Sequence, residues 1–438
     1  MSHADQYRVP TVSRATADTL IELVYDPEKR VTALVVSRFG GLWNIEHEVR
    51  IETGEVLVPY AATNNLIRNE CVVLPSMPVN YGVKNDLVAD VRGFIHRYLD
   101  VSPGFEEMTA YYVLLTWVYD RFGELPYLRL RGEYGTGKTR ALLVIGSLCN
   151  KAFFASGAST TSPIFHTLDA FGATLILDEA DFPYSDAKAD LVKVFNNGTV
   201  PGLPVLRCVP NKNKEYNPAA FKVFGPKVVA MRERFQDEAL ESRFLTEDTG
   251  MRPLRPDVPL SLPRSFKTEA LQLRNRLLHF RLCEYFNVST DPTAELKDVA
   301  PRLNQSALPL LSLVDDPEAR QRIEVVLRDQ DETLRARREE APEVAVLRAV
   351  AEASAASDGA PLIQIREIAV RFNAANADDY GSPVSNKWIG YMLRSRLHLT
   401  TRKSNGTYGV PTSEQQKIKA LVARLGIDTE RVEQPVIL

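Results

Sequence analysis

Apolar residues recur along this chain in two rhythms, and the switches between them mark out its elements. Residues 31–36, 46–51 and 56–58 read as strands, with a turn at Thr53 and Gly54. From 84 to 122 the spacing becomes helical. Leu87, Val91, Phe94, Ile95 and Leu99 recur at three- and four-residue intervals, and the apolar, aromatic stretch 111–122 with Trp117 and Tyr119 suits packing against a sheet. Residues 127–250 then alternate. Apolar strands at 128–131, 152–155, 173–178 and 227–231 are separated by helices opening near Lys138, at 159–161 and near Asp186, which predicts a parallel sheet covered on both faces. Two further strand-like runs, 203–209 and 221–224, flank a polar tip and predict a hairpin, and a short helix follows within 235–244.

Residues 251–263 are an extended, proline-punctuated connector. Residues 264–340 are helical and charged, with Leu271, Leu277, Leu278 and Leu282 on an apolar stripe, and the run 335–340 reads as a solvated helix face. The last part predicts helices at 344–355, from Ile363 onward and at 384–397. Short strands at 399–403 and 407–410 follow, joined through Asn405 and Gly406, a type I′ hairpin signal, and then a final helix at 413–425. Three helices and a hairpin make a winged helix. The expected domains are therefore 1–82 (mainly β), 83–126 (helical), 127–250 (α/β core), 251–340 (connector and helical lid) and 341–438 (winged helix with a last helix).

Composition narrows the class more than it adds. A chain of 438 residues suffices for about two to four domains. With 45% hydrophobic and 25% charged residues it has the balance of a soluble globular protein, and a net charge of −3 means that any nucleic-acid contact must come from local basic patches. The four cysteines, Cys71, Cys149, Cys208 and Cys283, show no paired spacing, so reduced thiols are expected and a structural zinc site is not. No apolar run has membrane-spanning length and the N-terminus does not resemble a signal peptide. A cytoplasmic protein without a membrane partner is expected.

The chemistry concentrates in residues 132–139, GEYGTGKT, which fit the phosphate-binding pattern G-x-x-x-x-G-K-[ST] between a strand and a helix. Gly132, Gly135 and Gly137 let the backbone, through Thr136, curl its N–H groups towards phosphate oxygens. Lys138 brings a positive charge to the outer phosphates, the Thr139 hydroxyl suits Mg²⁺, and the helix start adds a partial positive charge. A second motif, TLILDEAD at 174–181, is a buried-strand run ending in carboxylates. In phosphate-loop ATPases the first acid, here Asp178, holds the metal through water, and the second, here Glu179, activates the attacking water.

Three further groups are candidates. Lys212 and Lys214 sit on the hairpin tip, where they could grip phosphates in a ring channel or simply be solvated. Arg243 ends the short helix and could aim at a neighbouring subunit's γ-phosphate, or form a surface ion pair. In the winged helix Lys387, Arg394 and Arg396 are expected outward on the third helix and Arg402 and Lys403 on the wing, suited to DNA, while a protein-contact role stays open. Residues 1–80 carry no catalytic constellation, and a scaffold or collar role is expected for them.

From 127 to 243 the order of motifs resembles the AAA+-type ATPase domain of phage and plasmid primase–helicases, related in plan to superfamily 3 and minichromosome-maintenance helicases. The segments that carry the resemblance are GEYGTGKT, TLILDEAD, FNNG at 195–198, KVFGPKVVA at 222–230 and DEALESRF at 237–244. The resemblance implies ATP-driven translocation on DNA by a ring, a homo-hexamer, with nucleotide sites between subunits. It makes Lys138, Thr139, Asp178 and Glu179 the ATP and Mg²⁺ site, Arg243 the arginine finger, and the Lys212/Lys214 hairpin a DNA-gripping loop. The chain departs from many such proteins in having Met231-Arg232-Glu233 where a polar sensor, usually Asn, stands, so Arg232 is the sensor candidate; Arg302 is the candidate lid arginine. No primase domain is expected within residues 1–126, so priming would be expected from a separate primase or other replication protein. Besides a helicase or translocase of a mobile element, two readings stay open: a non-unwinding ATPase switch (a helicase loader or defence-system ATPase) and a DNA-binding initiator that uses ATP only to assemble.

Overall fold

A computed structural model describes residues 8–38, 41–52, 54–178, 186–210, 216–235, 237–357, 360–376, 382–404, 406–425 and 427. The chain forms two compact units, residues 1–330 and 331–438.

The first unit opens with strands β1 (Arg8–Thr11), β2 (Ser13–Ala15), β3 (Thr19–Asp26), β4 (Val31–Arg38), β5 (Leu42–Glu46), β6 (Val49–Arg50) and β7 (Val56–Pro59). β2 to β5 pair antiparallel in sequence order, and β1, β7 and β6 form a second sheet. The strand expected at 46–51 is broken after Glu46, and β3 has no counterpart in the sequence reading. Leu20, Ile21, Leu23 and Val24 are all buried there, so both faces are covered and no alternation marks the strand. A short helix α1 (Asn65–Arg68) and β8 (Val72–Val73) lead to α2 (Lys84–Tyr98) and α3 (Pro103–Val118). α3 starts cleanly because the Ser102 hydroxyl caps it and Pro103 is preset for a first turn. It is buried on nearly every face, which is why its sequence is apolar all round.

The core follows the expected alternation: β9 (Tyr127–Arg131), α4 (Lys138–Gly146), β10 (Ala152–Ser156), α5 (Thr161–Phe171), β11 (Leu175–Asp178) and α6 (Asp186–Asn197). Then come β12 (Val205–Pro210), β13 (Tyr216–Phe221), β14 (Lys227–Met231), α7 (Glu238–Glu241) and β15 (Phe244–Asp248). The sheet runs β15-β9-β14-β11-β10-β8, parallel except for β8. Arg131 pairs with Met231 and with Asp248, and Ser156 with Asp178, so the carboxyl ends of the parallel strands share one edge. β12 and β13 stand apart as a two-stranded hairpin in register from Val205 against Phe221 to Pro210 against Tyr216. Its second strand precedes the 221–224 run expected for it, because pairing six residues around this tip uses up the chain by Phe221. The tip, with Lys212 and Lys214, lies outside the described residues.

Three helices complete the unit: α8 (Phe266–Glu284), α9 (Pro301–Leu311) and α10 (Pro317–Glu340), within which the division between the units falls. α8 places Leu277, Leu278 and Leu282 in the core but also buries Arg281. The Arg281 guanidinium donates to Glu22 of β3 (2.8 Å) and to both carboxylate oxygens of Asp120 just after α3 (2.8 and 2.9 Å). Lys151, in the turn before β10, reaches the other Glu22 oxygen at 2.8 Å. Burial alone would raise the Glu22 carboxyl, yet Arg281 and Lys151 hold it below its ordinary range.

The second unit contains α11 (Pro342–Ala356), β16 (Leu362–Gln364), α12 (Ile365–Ala375), α13 (Asn386–Ser395), β17 (Arg402–Ser404), β18 (Thr407–Pro411) and α14 (Gln415–Leu425). Its sheet runs β16-β18-β17. Val346, Leu347, Ile368, Phe372, Ile389 and Leu393 fill its core. Its elements run helix–strand–helix–helix–hairpin, with β16 pairing to β18 as a third strand.

Candidate active site

The carboxyl edge of the central sheet gathers the phosphate-loop residues. Leu128 and Leu130 anchor β9 in the core, and the chain then leaves the sheet into the glycine loop. Gly135 (φ 76°) and Gly137 (φ 86°) are left-handed, a backbone that a side chain would strain. A Cβ on Gly132 would collide with Thr249, which follows β15. Thr249 fastens the loop from that side. Its N–H donates to the Arg131 carbonyl (2.7 Å), and its hydroxyl lies 2.8 Å from that of Thr136, which donates to the Glu133 carbonyl.

α4 starts at Lys138, so its unpaired N–H groups and positive dipole end face the loop. The Lys138 ammonium donates to the carbonyls of Gly132 and Glu133, both at 2.6 Å. The Thr139 hydroxyl donates to Asp178 Oδ2 at 2.7 Å. A hydroxyl and a carboxylate brought together beside a phosphate-type loop are the hard oxygen donors that Mg²⁺ takes. Among the described residues no cluster of three or more His, Cys, Asp or Glu could cage a metal; phosphate oxygens and water are further ligands that Mg²⁺ takes. Arg232, just past β14, lies with its guanidinium carbon 4.4 Å from the ring centroid of Tyr134 in the loop. Glu179 lies outside the described residues.

Arg243 sits at the opposite edge. Its carbonyl accepts from the N–H of Tyr127, the first residue of β9 (2.8 Å), so the whole of that strand, roughly 13 Å, separates it from the loop of its own chain. Its Nη1 donates to Asn196 at the end of α6, to Oδ1 at 2.7 Å and to the carbonyl at 3.2 Å. Its Nε is buried and has no hydrogen-bond partner among the described residues. Burial first, and the nearby charge of Arg302 second, push its pKa down. Arg302, exposed in the first turn of α9, and the half-buried Glu124, whose pKa burial raises against the pull of both arginines, belong to the same group. Arg302 thus neighbours Arg243, not the phosphate loop of this chain. Among the described residues the side-chain partner of Arg243 is the Asn196 amide, with no ion pair to a carboxylate.

Two buried features of this edge escape a motif search. Arg129, in the middle of β9, pairs with Glu241 of α7 and lies over the Phe244 ring, with its guanidinium carbon 5.0 Å from the centroid. Lys227, the first residue of β14, is buried without a carboxylate partner among the described residues. Its ammonium donates to the carbonyls of Val223 and Gly225 (both 2.9 Å) and Gly198 (3.4 Å), above the Tyr127 ring. Burial pushes its pKa down to about 7 although those carbonyls solvate the charge. A Cβ on Gly198 would meet that ammonium, which accounts physically for the glycine of the FNNG segment.

In the second unit Lys387, Arg394, Arg396, Arg402 and Lys403 are all exposed. Lys387, Tyr391 and Arg394 share one face of α13, and Lys403 lies 5.7 Å from the ring centroid of Tyr408 across the wing. The exposed rings of Tyr391 and Tyr408 carried no signal, since an isolated aromatic in a helix or strand usually packs inward.

No family model and no curated protein matches the chain. Solved structures do resemble it at low identity. The C-terminal region of NrS-1 in its apo form is 12% identical, covering 89% of this chain and 97% of that one with a TM-score of 0.38. A SCCmec type IV Cch protein described as an active helicase is 12% identical over 93% of this chain and 96% of that one, also at 0.38. The JCV helicase is 18% identical over 56% of this chain and 61% of that one, at 0.28. Among the described residues no helix is long and apolar enough to cross a membrane.

Proposed function

We infer that the chain hydrolyses ATP at sites shared between like subunits and uses the turnover to move along DNA or unwind it. One observation carries this reading. The groups suited to bind ATP, Lys138 and the Thr139–Asp178 pair, occupy one edge of the sheet, while Arg243, half-buried and under-satisfied, occupies the other. An under-satisfied guanidinium crowded by a second arginine favours an incoming polyanion, and its own chain's loop is a strand length away. A neighbouring subunit's triphosphate meets that need.

The roles follow from charge and position. The backbone N–H groups of residues 135–139 cradle phosphate, and Lys138 neutralises its outer oxygens. Thr139 and Asp178 would hold Mg²⁺, which when bound would supply positive charge to offset that of the phosphates. Glu179, next after Asp178, orients and deprotonates the attacking water; Arg232 is the sensor beside the loop. Arg243, with Arg302 beside it, stabilises charge on the neighbour's transferring group. A closed ring, six subunits by the family resemblance, gives every pocket an arginine. DNA is held by the hairpin lysines Lys212 and Lys214 and by the basic face of the second unit, and the family resemblance suggests a separate primase or other replication protein as partner.

The test is strand displacement from a forked duplex with ATP and Mg²⁺, with Lys138→Ala as the control. Displacement by the native chain alone is expected. ATP hydrolysis without displacement would favour an ATPase switch, and tight binding of one duplex sequence without displacement would favour an initiator.

A further inference from the structure

Arg243 is gripped by its own subunit before any neighbour reaches it, and the grip comes from a telling place. α6 begins at Asp186, with four residues between it and the acidic motif in sequence, and ends at Asn196 and Asn197. Midway, Asp190 pairs with Arg207 of the hairpin strand β12 at 2.8 Å. At the far end Phe195 is buried against Tyr127, Phe235 and Phe244, and its carbonyl accepts from the Tyr127 hydroxyl at 2.8 Å. One helix therefore follows the acidic motif closely in sequence, carries the hairpin contact and holds the arginine. Because the aromatic cluster fixes the last turn, a displacement of α6 is transmitted to the Asn196 amide with little slack.

We propose that Asn196 is a positioning residue for Arg243, setting from α6 the orientation in which this subunit offers its arginine to the neighbour's nucleotide. The inference rests on reading Arg243 as acting on a neighbouring subunit. An amide suits the task. It is a neutral acceptor, so its bond to the guanidinium is strong enough to orient it and weak enough to yield when phosphate competes. A carboxylate in its place would turn a bond with one charged partner into an ion pair and hold the guanidinium more tightly. The state of a subunit's own pocket would then bear on hydrolysis next door through α6, without any direct contact between the two nucleotides.

The test uses the full chain with ATP, Mg²⁺ and single-stranded DNA. Asn196→Asp, which keeps size and shape, is expected to lower kcat about tenfold by pinning the arginine, with KM for ATP unchanged. Asn196→Ala is expected to lower kcat by about three- to tenfold through loss of orientation. A purely structural role would move thermal stability instead, and would act within one subunit. The deciding measurement therefore mixes each variant with Lys138→Ala, which offers an intact arginine but a disabled pocket. Activity should rise above the sum of the parts, as it should when Arg243→Ala is mixed in the same way. If Arg243→Ala is rescued while the Asn196 variants are unimpaired, lose KM, or are not rescued, the assignment of Asn196 is overturned and that of Arg243 stands. If Arg243→Ala is unimpaired or is not rescued in subunits shown to exchange, the underlying reading fails and this inference with it.

Discussion

The two edges of the central sheet solve opposite problems. At the carboxyl edge the backbone does the work. Glycines at positive φ, the start of α4 and the exit of β15 shape a loop whose side chains need only be Lys138, Thr139 and Thr136. At the amino edge side chains do the work. Arg243, Asn196, Arg129, Glu241 and Lys227 are placed by burial, aromatic packing and carbonyl cages. A site built from backbone has few sequence solutions and leaves a motif. One built from packed polar side chains has many and leaves almost none.

The comparison can be broken most decisively by rate. Lys138→Ala and Arg243→Ala should each lower ATP hydrolysis by about 10³-fold or more. Each removes a different half of a shared site, so a mixture of the two should recover a measurable part of the native rate in a steady-state phosphate-release assay. Failure of the mixture, with exchange demonstrated, would mean that both edges serve one subunit.

Stability sharpens it next. Arg129→Met should cost about 3–5 kcal/mol, because Glu241 is left buried without a counter-charge. Adding Glu241→Leu should return much of that, because the pair itself is costly to desolvate. Denaturant unfolding of the two variants measures both. If the single change costs under about 1 kcal/mol, the amino edge is not held by its buried charges.

The smallest effect is one of pH. The folded pKa of Lys227, about 7, lies below that of an unfolded lysine, so above pH 7 the unfolded chain binds one more proton than the folded one. Stability from this group therefore rises with pH, by about 1.4 kcal/mol per unit from pH 7 towards the ordinary lysine range, and is flat below 7 where both states are charged. Lys227→Met should remove that slope without touching the carboxyl edge, as unfolding free energies at pH 7, 8 and 9 would reveal.

Much of the architecture was legible because alternation of strands and helices is a long-range pattern. β9, β10, β11, β14 and the helices α2 to α6 lie within a few residues of where periodicity puts them. β3 and β15 were not, for a physical reason: β3 is covered on both faces, and β15 follows Arg243 with two apolar residues before it turns polar. In the candidate site, spacing alone points to Lys138, Thr139 and Asp178, and the structure adds the Thr139–Asp178 contact. Spacing could not reveal that Thr249 braces the loop from 113 residues away, or that Arg302 stands beside Arg243, since contacts across the fold carry no local signature. Buried Arg281 and Lys227 escaped for the same reason, because a cation in an apolar helix or strand looks like the solvated side of an amphipathic one.

The ion cluster under β3 has a consequence for how the chain can be shortened. The first sixty residues have the appearance of a detachable appendage, yet Glu22 is one of the two carboxylates that neutralise Arg281 inside α8. Cutting them away would leave Arg281 in the interior with Asp120 alone, and would take the Glu22 partner from buried Lys151, a few residues past the helix that carries Lys138 and Thr139. A fragment starting at the nucleotide-binding strand should thus be poorly soluble, and trimming for expression or crystallisation should keep the opening β-structure or replace Arg281 and Lys151 with apolar residues at the same time.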